Sequence, residues 1–175
     1  STCSNGITVN MATALTCGPD GGGSWFAPDW TPHAGTFDPT ADMAGAYHYI
    51  VNGIGACPAD TANVAMSITP AANAGNGASL NICSTDASVN MFTLLGPNAQ
   101  TGGNWFYVTG NVPHNGTYNP AVDAPGIYRY CVNATLPCAQ HCAFINVTEP
   151  QAPNAGCSDS VTLCTSQAPI LMRSY

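Results

Sequence analysis

Gly45-Ala46-Tyr47-His48-Tyr49-Ile50-Val51 decides the fold, because the chain writes it a second time as Gly126-Ile127-Tyr128-Arg129-Tyr130-Cys131-Val132. Within the first copy Tyr47, Tyr49 and Val51 stand at every second position. A period of two places them on one face of an extended, half-buried strand. The repetition runs outward in both directions. Cys3 to Met11 matches Cys83 to Met91 at an offset of 80, and Gly23-Ser24-Trp25-Phe26 matches Gly103-Asn104-Trp105-Phe106 at the same offset. After a one-residue insertion the offset is 81: Pro32 to Pro39 answers Pro113 to Pro120, and Cys57 answers Cys138. Matches this numerous, in order, identify a tandem repeat.

Within each copy the alternation continues at Val9 and Met11 and at Val64, Met66 and Ile68, with Gly, Pro, Asn and Asp between the runs. No stretch of helical length keeps a 3.6-residue period without Gly or Pro. The expected fold class is all-β: two tandem immunoglobulin-like antiparallel β-sandwich domains, plus a C-terminal partial repeat acting as donor strand. The boundaries expected are 1–70 for the first repeat, 71–150 for the second and 151–175 for the opening of a third.

Composition narrows the function. Of 175 residues 45% are hydrophobic and only 6% charged, far below the usual quarter, so Asn, Ser, Thr and Gly must carry solubility. Arg129 and Arg173 are the only cations besides histidine, and the formal charge is −7, so neither a phosphate backbone nor an anionic lipid surface is an expected partner. No apolar run is long enough to insert in a membrane. Nine cysteines indicate an oxidising, extracellular location, secreted or at the cell surface. The start at Ser1, without an initiator Met or signal segment, reads as a mature product or a piece of something longer.

The strings GGGSW (21–25), GTFDP (35–39), GAYHYIV (45–51) and CPADTANVAMSI (57–68) have partners GGNW (102–105), GTYNP (116–120), GIYRYCV (126–132) and CAQHCAFINV (138–147). Together they resemble the tandem β-sandwich repeats of large cell-surface and secreted proteins of gliding Bacteroidetes. The resemblance covers nearly the whole chain. It implies β-sandwich modules strung along extracellular proteins, adhesive or structural in role, with no general catalytic site.

The phase of the repeat carries the functional expectation. Copy two is introduced by Ala72-Asn73-Ala74-Gly75-Asn76-Gly77-Ala78-Ser79-Leu80-Asn81-Ile82, whereas copy one begins at Ser1-Thr2 and lacks this lead-in. Pro153-Asn154-Ala155-Gly156-Cys157-Ser158-Asp159-Ser160-Val161-Thr162-Leu163-Cys164 repeats the lead-in at offset 81, and Ala168 to Met172, with Ile170, continues toward the equivalent of the Val89 strand. An unfinished sheet edge and a surplus strand predict head-to-tail donation between copies of the chain. Donor and acceptor are different surfaces, so such contacts propagate into a filament unless they close a ring. The other reading of the same phase is a stretch taken from a longer tandem array.

Cysteine positions that recur in both copies pair Cys3 with Cys57 and Cys83 with Cys138 in this reading. Cys131 and Cys142 flank the Cys138 loop on successive strands, as a second-copy bridge would require. Cys17 has no counterpart and is expected to bond Cys157 or Cys164 of a neighbouring subunit, with Val161, Leu163 and Ile170 as the apolar contacts of the donated tail.

No catalytic constellation is expected. His33 and His114 occupy matching loop positions, which favours a structural role. The order of Cys138-Ala139-Gln140-His141-Cys142 is wrong for haem attachment, and no second pair completes a zinc site. Asp38 and Asp42 read as turn formers. Neither metal nor cofactor is predicted. Trp25 and Trp105 recur and read as core anchors, while Trp30 has no equivalent and is the candidate for ligand contact. The function expected is a non-enzymatic structural subunit of an extracellular, pilus-like filament, assembled by strand donation and reinforced by disulfides. The alternative is an adhesin or carbohydrate-binding module that meets surface glycans.

Overall fold

The computed structural model describes residues 1–151, 153 and 154. All regular structure among them is strand, apart from three single 3-10 turns. The first repeat contains β1 (Thr2–Cys3), β2 (Val9–Asn10), β3 (Ser24–Phe26), β4 (Pro32–His33), β5 (Thr36–Phe37), β6 (Gly45–Val51), β7 (Asp60–Met66) and β8 (Ile68–Thr69). The second contains β9 (Ala78–Asn81), β10 (Val89–Asn90), β11 (Asn104–Tyr107), β12 (Val112–His114), β13 (Thr117–Tyr118), β14 (Gly126–Val132) and β15 (His141–Thr148). In the first repeat a sheet of order β4-β3-β6-β7 accompanies the pair β2-β5. In the second a sheet of order β12-β11-β14-β15-β9 accompanies β10-β13. The register repeats as well: Trp25 opposes Tyr49 as Trp105 opposes Tyr130, and Tyr47 opposes Val64 as Tyr128 opposes Ile145.

Each repeat closes a core of its own between its large sheet and its strand pair. Met11, Trp25, Phe37, Tyr47, Tyr49 and Val64 fill the first; Met91, Trp105, Tyr118, Tyr128, Tyr130 and Ile145 fill the second. Met11 and Met91 do not prolong their strands as simple alternation predicts. The Asn10 and Asn90 side chains accept the amides of Ala12 and Phe92 at 3.0 Å and start a 3-10 turn at each methionine. Both turns drop the methionine into the core, with no exposure at all.

Burying a tyrosine requires a partner for its hydroxyl. Tyr47 and Tyr128 donate to the carbonyls of Met43 and Ala124, four residues earlier, at 2.9 and 2.7 Å. Tyr49 accepts from the Gly23 amide and donates to the Asp20 carbonyl; Tyr130 does the same with Gly103 and Gln100. His33 and His114 are structural too. Nδ1 of each accepts the amide of Gly35 or Gly116, and Nε2 faces Asp42 at 3.3 Å or Asp123 at 3.4 Å. Gly35 must be glycine, since its φ is +81° and a Cβ there would lie 2.6 Å from the Trp25 ring. The same carboxylates close turns: Asp42 accepts the Asp38 amide and Asp123 the Asn119 amide.

Candidate assembly site

The two repeats differ at one sheet edge. In the second repeat β15 pairs antiparallel with β14 on one side and parallel with β9 on the other, Ile145 opposing Ala78 and Thr148 opposing Asn81. The equivalent strand β7 pairs with β6, and among the described residues no strand lies along its other edge. Beyond it, β1 pairs in parallel with β8, Cys3 opposing Thr69. The first repeat thus holds only the end of a lead-in strand, Ser1 standing at the position of Asn81, and nothing that corresponds to Ala78, Ser79 and Leu80 of β9.

The linker fills a second position as it enters the second repeat. Ala74 is fully buried, and its amide donates to His141 Nδ1 at 2.9 Å. The Asn73 amide donates to Gln100 Oε1 and its carbonyl accepts the Gln100 amide, both at 2.9 Å; the Asn76 amide donates to the Leu95 carbonyl. Gly75 has φ +85°, and a Cβ there would come within 2.4 Å of the Leu95 carbonyl oxygen. This tight seat needs glycine on both counts.

In the first repeat the corresponding place is a groove of about 720 Å³ lined by Asp20, Tyr49, Cys57, Asp60 and Ala62. These residues correspond to Gln100, Tyr130, Cys138, His141 and Ala143, the surroundings of the linker in the second repeat. Asp60 stands where His141 accepts the Ala74 amide, and a carboxylate is a strong acceptor for an amide N–H. Asp60 and Ala62 belong to β7, so the groove adjoins the unpaired edge of that strand. The residues expected to supply it, Val161, Leu163 and Ile170, lie outside the described residues, as do Cys157 and Cys164.

The bridges correct the pairing read from recurrence. Cys3 bonds not Cys57 but Cys138, across 135 residues, with Cα atoms 4.9 Å apart. Cys57 and Cys83 are left as thiols, with Cys17. Recurrence marks equivalent positions but not which repeat supplies the partner. The entering linker carries Thr69 to the Cys138 loop, and Cys3 opposes Thr69 across β1 and β8, so the sulfurs meet between repeats. Cys131 bonds Cys142, directly opposite it on β14 and β15. Their counterparts Ile50 and Thr61 face each other without cysteine.

Trp25 and Trp105 sit in the two cores, whereas Trp30 is 58% exposed and stacks on the His48 ring at 4.1 Å, the planes 5° apart. Its φ is +65°, a left-handed conformation that the second repeat gives to Asn111 at +52°. Asn enters that region readily; a tryptophan does so at a cost. Among the described residues no group of three His, Cys, Asp or Glu side chains is placed to hold a metal ion, and no helix is long and apolar enough to cross a membrane. Sequence reading missed the groove and Asp60, although the offset that maps Asp60 onto His141 was available. No protein-family model matches the chain, and no curated protein matches it.

Proposed function

We propose that the protein is a structural subunit of an extracellular filament, in which residues 153–162 of one copy enter the groove and extend β7 of the next. One observation supports this above others: residues 72–81 occupy in the second repeat the place that is open in the first, and residues 153–162 repeat their sequence pattern. The match extends to the constrained position, because Gly156 stands where Gly75 is required. By the β15–β9 register, Asp159, Ser160 and Val161 oppose Val64, Ala65 and Met66, with Val161 in the place of the half-buried Leu80. From Thr162 onward the segment meets positions that Ser1, Thr2 and Cys3 already hold, so donation ends at Thr162, before Cys164. Each repeat is then a completed immunoglobulin-like sandwich.

The same mapping supports Cys17 and Cys157 as an intersubunit pair. Asn76 lies beside Gly96, its side-chain nitrogen 3.8 Å from where a Cβ would stand. Gly96 corresponds to Thr16, next to Cys17, and Asn76 corresponds to Cys157.

Deleting residues 153–175 tests the proposal. Electron microscopy should show filaments from the full chain and none from the deletion variant, which should still unfold cooperatively and bind a synthetic 153–164 peptide one to one. Filaments from the deletion variant, or a full chain that stays a 17.9 kDa monomer in solution, would overturn it.

A second reading, an adhesin meeting surface glycans, is favoured by Trp30. An exposed indole kept in a left-handed conformation where the other repeat uses Asn is a local cost of the kind found at binding sites. A glycan-array signal lost in Trp30→Ala would support it.

A further inference from the structure

We infer that Cys83 of one copy forms a disulfide with Cys57 of the next, so that the filament is a covalent chain as well as a strand-donated one. The inference rests on the head-to-tail reading above and comes from a bond the molecule already contains. Cys3–Cys138 joins a lead-in cysteine of one repeat to a loop cysteine of the repeat that follows. Cys83 is the lead-in cysteine of the second repeat, and Cys57 is the loop cysteine of the first. Among the described residues neither has an adjoining repeat on the required side. Between two copies placed in succession they take the positions of Cys3 and Cys138.

Local geometry shows that both ends are already shaped for this bond. The carbonyl of Cys3 accepts the Gly6 amide at 2.9 Å, and that of Cys83 accepts the Asp86 amide at 3.0 Å, the same turn at the same offset. Cys138 donates its amide to the Thr135 carbonyl at 3.0 Å, and Cys57 donates to Ile54 at 3.3 Å, again the same turn. Burial separates the pairs. Cys3 and Cys138 are buried, whereas Cys57 is exposed on the rim of the open groove and Cys83 is partly exposed. Of these four cysteines, the two without an adjoining repeat among the described residues are the two left uncovered.

The chemistry is thiol–disulfide exchange with a disulfide-bearing oxidant. The Cys83 thiolate attacks one sulfur of the oxidant, forms a mixed disulfide and expels one thiolate. The Cys57 thiolate of the next copy then attacks the Cys83 sulfur and expels the second. Two protein thiols lose two protons and two electrons, and the oxidant leaves as two thiols. Cys83 suits the first step, because hydrogen bonds from the Thr85 amide and hydroxyl favour its thiolate and hold its pKa below that of an ordinary thiol.

The test uses the full chain with Cys17, Cys157 and Cys164 changed to serine and glutathione disulfide as oxidant. Non-reducing denaturing electrophoresis should give a ladder at multiples of 17.9 kDa. Cys83→Ser or Cys57→Ser alone should give only monomer. Mixing the two variants should give dimer and nothing larger, with one linked peptide pair joining Cys83 of the Cys57→Ser variant to Cys57 of the Cys83→Ser variant. Filaments in the microscope whose chains all run as monomers without reductant would overturn the disulfide and leave strand donation standing. A ladder that persists in either single variant would also overturn it. Linked dimers from mixed variants that also lack residues 153–175 would establish the bond and count against strand donation.

Discussion

The amide of Ala74 donates to Nδ1 of His141 at 2.9 Å and fastens the linker between repeats into the sheet it enters. Ala74 has no exposure with His141 in place. His141→Ala should therefore leave a buried amide unpaired and cost about 1–3 kcal/mol. Urea unfolding should show the loss in the second repeat. His141→Asp, which copies Asp60, should recover most of it, because a carboxylate accepts the same amide.

Gly75 tests the tightness of the same seat. Gly75→Ala forces an L side chain to φ +85°, at about 1–2 kcal/mol, and also drives a Cβ to 2.4 Å from the Leu95 carbonyl oxygen. Gly18 is the matched control, with φ +64° and nothing within 4 Å of its Cβ position. Thermal melts should show Gly18→Ala losing the conformational cost alone and Gly75→Ala losing clearly more. If the tail docks as the linker does, Gly156→Ala should leave the melt unchanged and weaken filament formation.

The Cys131–Cys142 bridge closes a sequence separation of 11 across two adjoining strands. The chain-entropy estimate for a loop of this size is about 3 kcal/mol. Replacing both cysteines by alanine should destabilise the second repeat by somewhat less, since part of the effect depends on residual order in the unfolded chain. The first repeat, with Ile50 and Thr61 at these positions, should keep its stability. Fluorescence of Trp25 against that of Trp105, each in its own core, reports the two separately.

These comparisons show why the sequence revealed the strands more readily than the joints. Tyr47, Tyr49 and Val51 announce a strand by period alone, and every strand in the second large sheet except β9 has a counterpart in the first. The contacts of Ala74 are invisible to periodicity, because it is a small residue in a Gly- and Asn-rich linker whose burial depends on a distant groove. The cysteines failed for a related reason. An offset of about 80 residues equates Cys3 with Cys83 and Cys57 with Cys138, but a bond between repeats and a bond within a repeat leave the same pattern. Only the path of Thr69 to the Cys138 loop distinguishes them. Trp30 was legible as the aromatic without a partner, and its backbone conformation was not.

Trp30 separates packing from binding. Half-exposed and stacked on His48, it contributes little apolar burial, so Trp30→Ala should change stability by less than about 1 kcal/mol. Trp30→Gly should be more stable than Trp30→Ala, because glycine meets φ +65° without a Cβ penalty. Paired melts of the two variants check the order. An alanine variant as stable as the glycine one would show that the left-handed backbone carries no cost there.

Alkaline pH should act chiefly on the second repeat. Tyr118 is fully buried and donates to Glu149 Oε2 at 2.5 Å; burial first, and then this carboxylate, push its pKa far above the usual value. Tyr128 is pushed up to about 12, mainly by burial and then by Asp123. An unfolded tyrosine ionises near pH 10. Below that both states hold the proton and the contribution is complete. Above it the unfolded chain releases the proton while the folded chain keeps it, so stability falls as pH rises from about 10 through 12. Phe37 occupies the Tyr118 position in the first repeat and has no proton to lose. Tyr118→Phe should therefore flatten the alkaline limb of the second repeat's stability, at a cost near neutral pH of about 1 kcal/mol for the lost hydrogen bond. Melting temperatures of the two proteins between pH 7 and 12 decide it: the curves should converge as pH rises, and parallel curves would assign the alkaline loss to other groups.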